Sequence, residues 1–166
     1  MSDTDELDIV FGASSAIGGA LIQRWQRQGR RPILAVTRSA NSISDIGDLN
    51  RVQVETSDYT EAGLSALAAR LMSAQTNVTR LVVCNGVLQG AGYRPERALA
   101  QIDSTAMDKV FEVNTFLPMR ILSAMAPLLK TSPAPIVAAL SARVGSLGDN
   151  RRGGWYSYRG SKAALN

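Results

Sequence analysis

The sequence is short of cysteine and has no long apolar run. Its 166 residues contain one cysteine, Cys84, which excludes an internal disulfide and suits a reducing cytosol. No apolar run approaches the roughly 18 residues that span a bilayer, so no membrane segment is predicted. The start, MSDTDELD, lacks the basic residues and apolar run of a secretory signal. We therefore predict a cytoplasmic protein with a short disordered tail over residues 1–6.

The overall composition is that of an ordinary globular protein with a basic balance. The chain is 45% apolar and 19% charged, and its length is sufficient for one domain with a buried core. We therefore predict a single domain over residues 1–166. The net charge of +4 raises the question of nucleic acid. Since the arginines are scattered along the chain, a solvated surface is favoured, followed by a small anionic ligand, and no nucleic-acid partner is predicted.

Short apolar runs alternate with helical patterns along the chain. The runs predict strands over 7–11, 32–37, 51–55, 80–84 and 135–140. The helical patterns cover 17–28, 60–73, 104–113, 116–130 and a last helix from about residue 155. The third and fourth of these can also be one bent helix, and 116–130 is apolar nearly all round, which predicts burial or an interface.

This alternation predicts an α/β fold with a doubly wound parallel sheet. We expect a Rossmann-like arrangement of three layers, α/β/α. The sequence stops at Asn166, inside a helix that has just begun. We therefore expect the intact protein to continue beyond the fifth strand and the start of the following helix.

The first chemical signal is FGASSAIGG, at the predicted turn from the first strand to the first helix. Gly12 permits a tight turn, and the small Ser14 and Ser15 let a ligand approach the backbone. Ile17 and Gly18 open the helix, whose N–H groups and dipole attract a phosphate. Ligands of doubly wound sheets bind at this end of the strands. The alternative is a close contact between helix and sheet.

The second signal follows the second predicted strand. A fold specific for NAD places an acid there to hold the ribose hydroxyls. This sequence has Thr37 and Arg38 instead. Because Arg38 can pair with a 2′-phosphate, we predict NADP(H) in preference to NAD(H); the alternative is a solvent-facing arginine.

The third signal is GGWYSYRGSK (153–162), which holds three aromatic residues in a chain with 5% aromatics. It also contains one of only three lysines, against fifteen arginines. On a helix, Tyr158 and Lys162 are i and i+4 and share a face, whereas Tyr156 lies well round the helix. Tyrosine loses its proton near about pH 10, and an adjacent ammonium stabilises the phenolate. The pair therefore predicts a proton donor or acceptor near neutral pH; the alternative, which this spacing alone does not exclude, is a surface tyrosine beside a lysine stem.

Together these stretches resemble the short-chain dehydrogenase/reductase family, closest to its branch of C-factor signalling proteins and small carbonyl reductases. GASSAIG is similar to the family's glycine-rich cofactor turn, and ETSD to its adenine-contacting segment, which implies cofactor contacts for Glu55 and Thr56. VCNG stands where the family has NNAG, which implies that Asn85 and Gly86 form part of the cofactor wall. FEVNTF places Asn114 at the family's catalytic asparagine.

The resemblance implies hydride transfer between nicotinamide and a small carbonyl or alcohol substrate. Tyr158 would exchange the proton with the substrate oxygen, and Lys162 would assist it and hold the nicotinamide ribose. Asn114 would position a relay water. The family's substrate-binding serine falls on Ala142, which leaves Ser141, our first choice, or Ser146 for that role.

Two functions follow from this resemblance. The first is an NADP-dependent oxidoreductase, active in an intact form that is a homodimer or homotetramer, with residues 1–166 alone inactive. The second is a nucleotide-binding signalling protein of the C-factor type without turnover. Neither requires a metal.

Overall fold

A sheet of five parallel strands runs through the chain in the order β3-β2-β1-β4-β5. In this computed structural model, which describes residues 6–29, 31–43, 51–151 and 153–166, the strands are β1 (Glu6–Phe11), β2 (Ile33–Thr37), β3 (Val52–Thr56), β4 (Asn77–Val83) and β5 (Ile136–Ala139). The order turns back at β1, since β2 and β3 extend the sheet on one side and β4 and β5 on the other. The predicted doubly wound, Rossmann-like fold is thereby confirmed.

Within the described residues, five α-helices connect or follow these strands. They are α1 (Ala16–Gln28), α2 (Glu61–Ser73), α3 (Ser104–Phe111), α4 (Leu117–Thr131) and α5 (Tyr156–Leu165). A π-helical segment, Glu112–Phe116, joins α3 to α4 without a break. The prediction of one bent helix is therefore nearer to the structure than that of two separate helices.

The boundaries differ from the predictions by a few residues. Only Glu6 of the predicted tail lies within the described residues, and it already belongs to β1. The fourth strand begins at Asn77, three residues before the predicted start, because the polar Asn77 and Thr79 break the apolar pattern although the backbone pairs with β1. Within the part of the chain that the structure describes, no helix has both the length and the hydrophobicity to cross a membrane.

The chain divides into two compact units. The first runs up to Cys84 and includes Ile121–Ala139, so it contains the whole sheet. The second consists of Asn85–Arg120 and Leu140–Asn166. Each is described separately below.

The core of the first unit is formed by its central strands and by one face of each helix. On α2 the four buried side chains repeat at helical spacing and form one face, namely Leu64, Leu67, Ala68 and Leu71. On the part of α4 that belongs to this unit, one stripe of large apolar side chains is fully buried, namely Ile121, Met125 and Leu128; the sequence predicts burial or an interface for this helix. Thr60 caps α2, since its side chain accepts a hydrogen bond from the Gly63 N–H at 3.2 Å.

Candidate active site

The turn from β1 to α1 is built so that the helix starts against the end of the strand. Gly12 has a φ of 73°, in the left-handed region that glycine adopts without strain. Ser15 caps α1, with its Oγ accepting from the Gly18 N–H at 3.0 Å. A Cβ on Gly18 would lie 2.5 Å from the carbonyl oxygen of Gly12. Both glycines are therefore required by the turn.

The outer surface of this turn is open. Ser14 and Ile17 are exposed, and Ile17 is 61% exposed even though it is a large apolar residue at a helix start. The first N–H groups of a helix have no partner within the helix. The turn therefore leaves the start of α1 open next to small side chains, and the phosphate contact there stays a prediction.

A tyrosine that the sequence analysis missed supports the same turn. The Tyr59 hydroxyl accepts a hydrogen bond from the Gly12 N–H at 3.2 Å and donates one to the Val36 carbonyl at 3.1 Å. Tyr59 is buried and has a φ of 61°. No local pattern marks it, because its partners lie 47 and 23 residues away in sequence.

The ends of β2 and β3 hold the residues predicted to contact the adenosine part of the cofactor. Thr37 and Thr56 are register partners, so Arg38 follows β2 beside the end of β3. Arg38 and Thr56 are exposed. Glu55 forms an ion pair with Arg70 at 2.7 Å, which gives its carboxylate a structural partner in addition to the predicted ligand contact.

In the second unit, Asn114 lies in the π-helical segment and is fully buried. Its Oδ1 accepts from the Val87 N–H at 2.7 Å, and its Nδ2 donates to the Val87 carbonyl at 2.8 Å. The same Nδ2 donates to the Ser161 Oγ at 3.1 Å. Asn114 therefore ties the segment after β4 to α5, and π segments are frequent at functional sites.

Lys162 is buried on α5, at 3% exposure, and its Nζ donates to the Leu140 carbonyl at 2.7 Å. Burial lowers the pKa of Lys162, because desolvation disfavours the charged form. Gly145 permits the close approach of the segment after β5, since a Cβ there would lie 2.9 Å from the Lys162 Cβ. Lys162 is thus buried, whereas the other two lysines, Lys109 and Lys130, are exposed.

Tyr158 precedes Lys162 by four residues on α5, which begins at Tyr156. It is half-buried, and its ring meets the ring of Trp155 edge-on, with centroids 6.3 Å apart. The spacing puts Tyr158 and Lys162 on one face of the helix, as predicted, and Tyr156 off that face.

The segment after β5 contains both serines predicted as candidates for the substrate contact, Ser141 and Ser146. Ser141 is exposed, and its Oγ is 3.4 Å from the Lys162 carbonyl, a long hydrogen bond. Ala142 is extended and leads into a short 3-10 turn, Arg143–Gly145. Ser146 follows this turn and is exposed. Both candidate serines are thus solvent-accessible.

Asn85 and Gly86 directly follow Cys84 in sequence and are the first two residues of the second unit. The Asn85 Oδ1 is buried without a hydrogen-bond partner in the described structure, an uncommon condition for a buried polar atom. A Cβ on Gly86 would lie 3.5 Å from the Asn114 Oδ1 and 3.6 Å from the Lys162 Nζ. The missing side chain of Gly86 therefore leaves space beside both functional groups.

Two further residues of this site have no signal in the sequence. Thr115 donates from its Oγ1 to the Ser161 carbonyl at 2.7 Å, and Glu96 is a buried carboxylate next to the start of α5. Their partners are 46 and 61 residues away in sequence. Only the fold reveals them.

Comparison with known proteins places these features in a family context. Residues 7–166 match the family model described as short chain dehydrogenase. The chain is 31% identical, over 158 residues, to 1-hydroxy-2-glutathionyl-2-methyl-3-butene dehydrogenase from Rhodococcus sp. strain AD45, covering 95% of this chain and 66% of that protein. It is 45% identical, over 69 residues, to C-signal from Myxococcus xanthus, covering 42% of each protein.

A solved structure of similar fold is a short-chain dehydrogenase/reductase from Burkholderia multivorans with bound NADP. It is 25% identical to this chain, with a TM-score of 0.81, and the match covers 98% of this chain and 69% of that one. The chain thus spans between two fifths and about seven tenths of the length of these three relatives.

Proposed function

Because this chain belongs to the short-chain dehydrogenase family, we propose that the protein containing it is an NADP-dependent oxidoreductase that interconverts a carbonyl compound and an alcohol. The observation that carries the proposal is the arrangement on α5. A half-buried Tyr158 stands one turn before the buried Lys162, and Asn114 is fixed to the same helix through Ser161. A helix of this kind offers a proton-transfer group next to a positive charge.

In the proposed reaction, the Tyr158 hydroxyl donates its proton to the substrate oxygen during reduction and takes it back during oxidation. The Lys162 ammonium stabilises the phenolate that results. Its burial strengthens this effect, because charges interact more strongly where water is excluded. The chemistry that the bound cofactor supplies is hydride transfer between nicotinamide and the carbonyl carbon.

The residues present fit a dinucleotide cofactor. In the first unit, the open α1 N-terminus behind Gly12 and Gly18 suits a pyrophosphate. In the second unit, the space left by Gly86 beside the Lys162 Nζ suits a ribose hydroxyl, and the unpartnered Asn85 Oδ1 offers an acceptor for a ligand donor.

The preference for NADP(H) rests on Arg38. It directly follows β2, it is exposed, and no acid stands at that strand end. An exposed guanidinium can bind a 2′-phosphate through two parallel hydrogen bonds. The Burkholderia multivorans relative, with its bound NADP, supports the same choice.

Oligomerisation and the serine's role also remain proposals. Phe116, the last residue of the π-helical segment, and Met119, on the first turn of α4, are 52% and 57% exposed, which supports a homodimer or homotetramer through this surface. For the substrate contact, Ser141 is preferred over Ser146 because its Oγ already reaches the backbone of Lys162.

A second function, nucleotide binding without turnover, is favoured by one specific observation. Alanine occupies position 142, where the family has its substrate-binding serine, and the chain also resembles C-signal. A binding protein of this kind would retain cofactor affinity and show no reductase activity.

The experiment that separates the two measures NADPH oxidation by the complete protein against a panel of aldehydes and ketones. We expect Tyr158→Phe to lower kcat by about 100- to 10,000-fold, the usual contribution of a general acid, while NADPH binding survives. Tyr156→Phe is the matched control and should remain active, because it lies off the Lys162 face. A wild-type protein that binds NADPH and reduces nothing in the panel would favour the signalling alternative, and an inactive Tyr156→Phe would contradict the assignment of Tyr158.

A further inference from the structure

Glu96 is a buried carboxylate that the mechanism above does not use. It is 5% exposed, and its two carboxylate oxygens accept from the Ser157 N–H at 3.3 and 3.4 Å. The Ser157 hydroxyl donates to the same carboxylate. A carboxylate is rarely buried unless hydrogen bonds compensate it, and here all the donors belong to the first turn of α5.

The start of α5 has an unusual need for such a partner. Gly153, Gly154 and Trp155 all have left-handed φ values, of 62°, 68° and 53°. Trp155 occupies the N-cap position without a side-chain hydrogen bond to the helix. The usual capping residues serine, threonine, aspartate and asparagine are thus replaced by a carboxylate that is remote in sequence.

The backbone of Glu96 adds a second attachment. Its carbonyl oxygen accepts from the Trp155 N–H at 2.6 Å, and a Cβ on Gly154 would lie 3.1 Å from that oxygen. Glu96 thus accepts hydrogen bonds from three donors on two residues, Trp155 and Ser157, at the entry to α5. The helix dipole favours a negative charge at this end.

Tyr158 and Lys162 are therefore held by different supports. Lys162 is fixed by the Leu140 carbonyl and by the close approach of Gly145. Tyr158 is the third residue of the helix, directly after Ser157, and Glu96 and Tyr158 line the same small pocket. Loss of the Glu96 carboxylate should displace Tyr158 more than Lys162.

We propose that Glu96 is a positioning residue for Tyr158: its carboxylate caps α5 and fixes where the phenol stands. This inference rests on the proposed function, in which Tyr158 transfers the proton. A misplacement of about 1 Å can lower a rate by about 100-fold. The effect on cofactor affinity should be small, because Lys162 keeps its own supports.

The test compares Glu96→Ala and Glu96→Gln in the complete protein. Alanine should lower kcat by about tenfold to 100-fold and change the Kd for NADPH by less than about twofold. Glutamine keeps an oxygen that can accept from Ser157 and should recover most of kcat. The matched control is Asp103→Ala, since Asp103 caps α3 with an Oδ1 that accepts from the Ala106 N–H at 2.7 Å, and it should leave kcat unchanged.

Hydrogen exchange gives a readout that does not depend on turnover. In Glu96→Ala, amides of residues 156–159 should exchange at least about tenfold faster, while those of 162–165 keep their protection. If the wild-type protein reduces no carbonyl compound, the proposed function fails, and the exchange result still decides whether Glu96 fixes the first turn of α5.

Three results would overturn the proposal. They are an unchanged kcat in Glu96→Ala, a Glu96→Gln variant as defective as the alanine variant, or unchanged exchange in the first turn. If Glu96→Ala does not fold, Ser157→Ala replaces it. That variant removes the hydroxyl donor alone, so it should lower kcat less than tenfold with unchanged NADPH affinity, and a fully active Ser157→Ala with unaltered exchange would also count against the proposal.

Discussion

Replacement of Asn114 by alanine tests the buried hydrogen-bond network directly. Asn114 makes three hydrogen bonds, two to the Val87 backbone and one to the Ser161 Oγ. A typical net contribution is about 1 kcal/mol per bond, so the variant should lose about 3 kcal/mol of unfolding free energy. Stabilities are only about 5–15 kcal/mol. The loss is therefore large but compatible with folding.

Aspartate has nearly the same size and shape as asparagine, so Asn114→Asp tests the amide donor separately from the packing of the side chain. Asn114→Asp keeps the acceptor for the Val87 N–H but places a second oxygen opposite the Val87 carbonyl, where the Nδ2 now donates at 2.8 Å. It also buries a charge at a position with 0% exposure. We expect it to be at least as destabilising as alanine, because an unpaired buried charge is costly.

Urea unfolding of the complete protein, followed by circular dichroism, measures both changes. Asn41→Ala is the matched control, since Asn41 is exposed and surface substitutions usually stay within about 0.5 kcal/mol. A loss of less than about 1 kcal/mol in Asn114→Ala, or an aspartate variant as stable as wild type, would refute the argument that these three bonds hold the segment after β4 to α5.

Two further predictions concern cofactor choice and pH. Arg38→Ala should reduce the preference for NADPH over NADH by roughly ten- to 100-fold, since a charge-assisted contact contributes about 1.5–3 kcal/mol; fluorescence titration with both cofactors measures this, and an unchanged ratio would sink the assignment. Burial lowers the pKa of Lys162 below its ordinary 10.5. At pH values between the lowered pKa and 10.5, the unfolded chain therefore binds more protons than the native protein. The stability of wild type relative to Lys162→Met should therefore rise as the pH increases toward 10.5 in urea titrations, and a constant or falling difference would contradict it.

The sheet was predictable because its signals are local. Each strand is a short apolar run, and the α2 face repeats at helical spacing from Leu64 to Leu71. The start of β4, at Asn77, lies before the predicted start because polar side chains break the apolar pattern there, while the backbone continues the ladder. Side-chain propensity alone does not fix where a strand begins, because pairing with the neighbouring strand also extends it.

The candidate site was predictable only where its residues share one turn or one helix. Gly12 and Gly18 lie six residues apart in one βα turn, and Tyr158 and Lys162 lie four apart on α5. Their spacing alone brings them together. Tyr59 lay beyond this reasoning, since its contact with Gly12 spans 47 residues.

The supports of α5 show why spacing by itself is weak evidence of a proton-transfer pair. A tyrosine four residues before a lysine shares a face on any helix, whether that helix is fixed or frayed. Here Ser161, between the two, is bound by Asn114 and Thr115, and Glu96 holds the first turn. These partners come from 46 to 61 residues upstream. The spacing identifies the candidate proton-transfer pair, Tyr158 and Lys162, and the contacts from the segments after β4 fix the position of the helix that carries them.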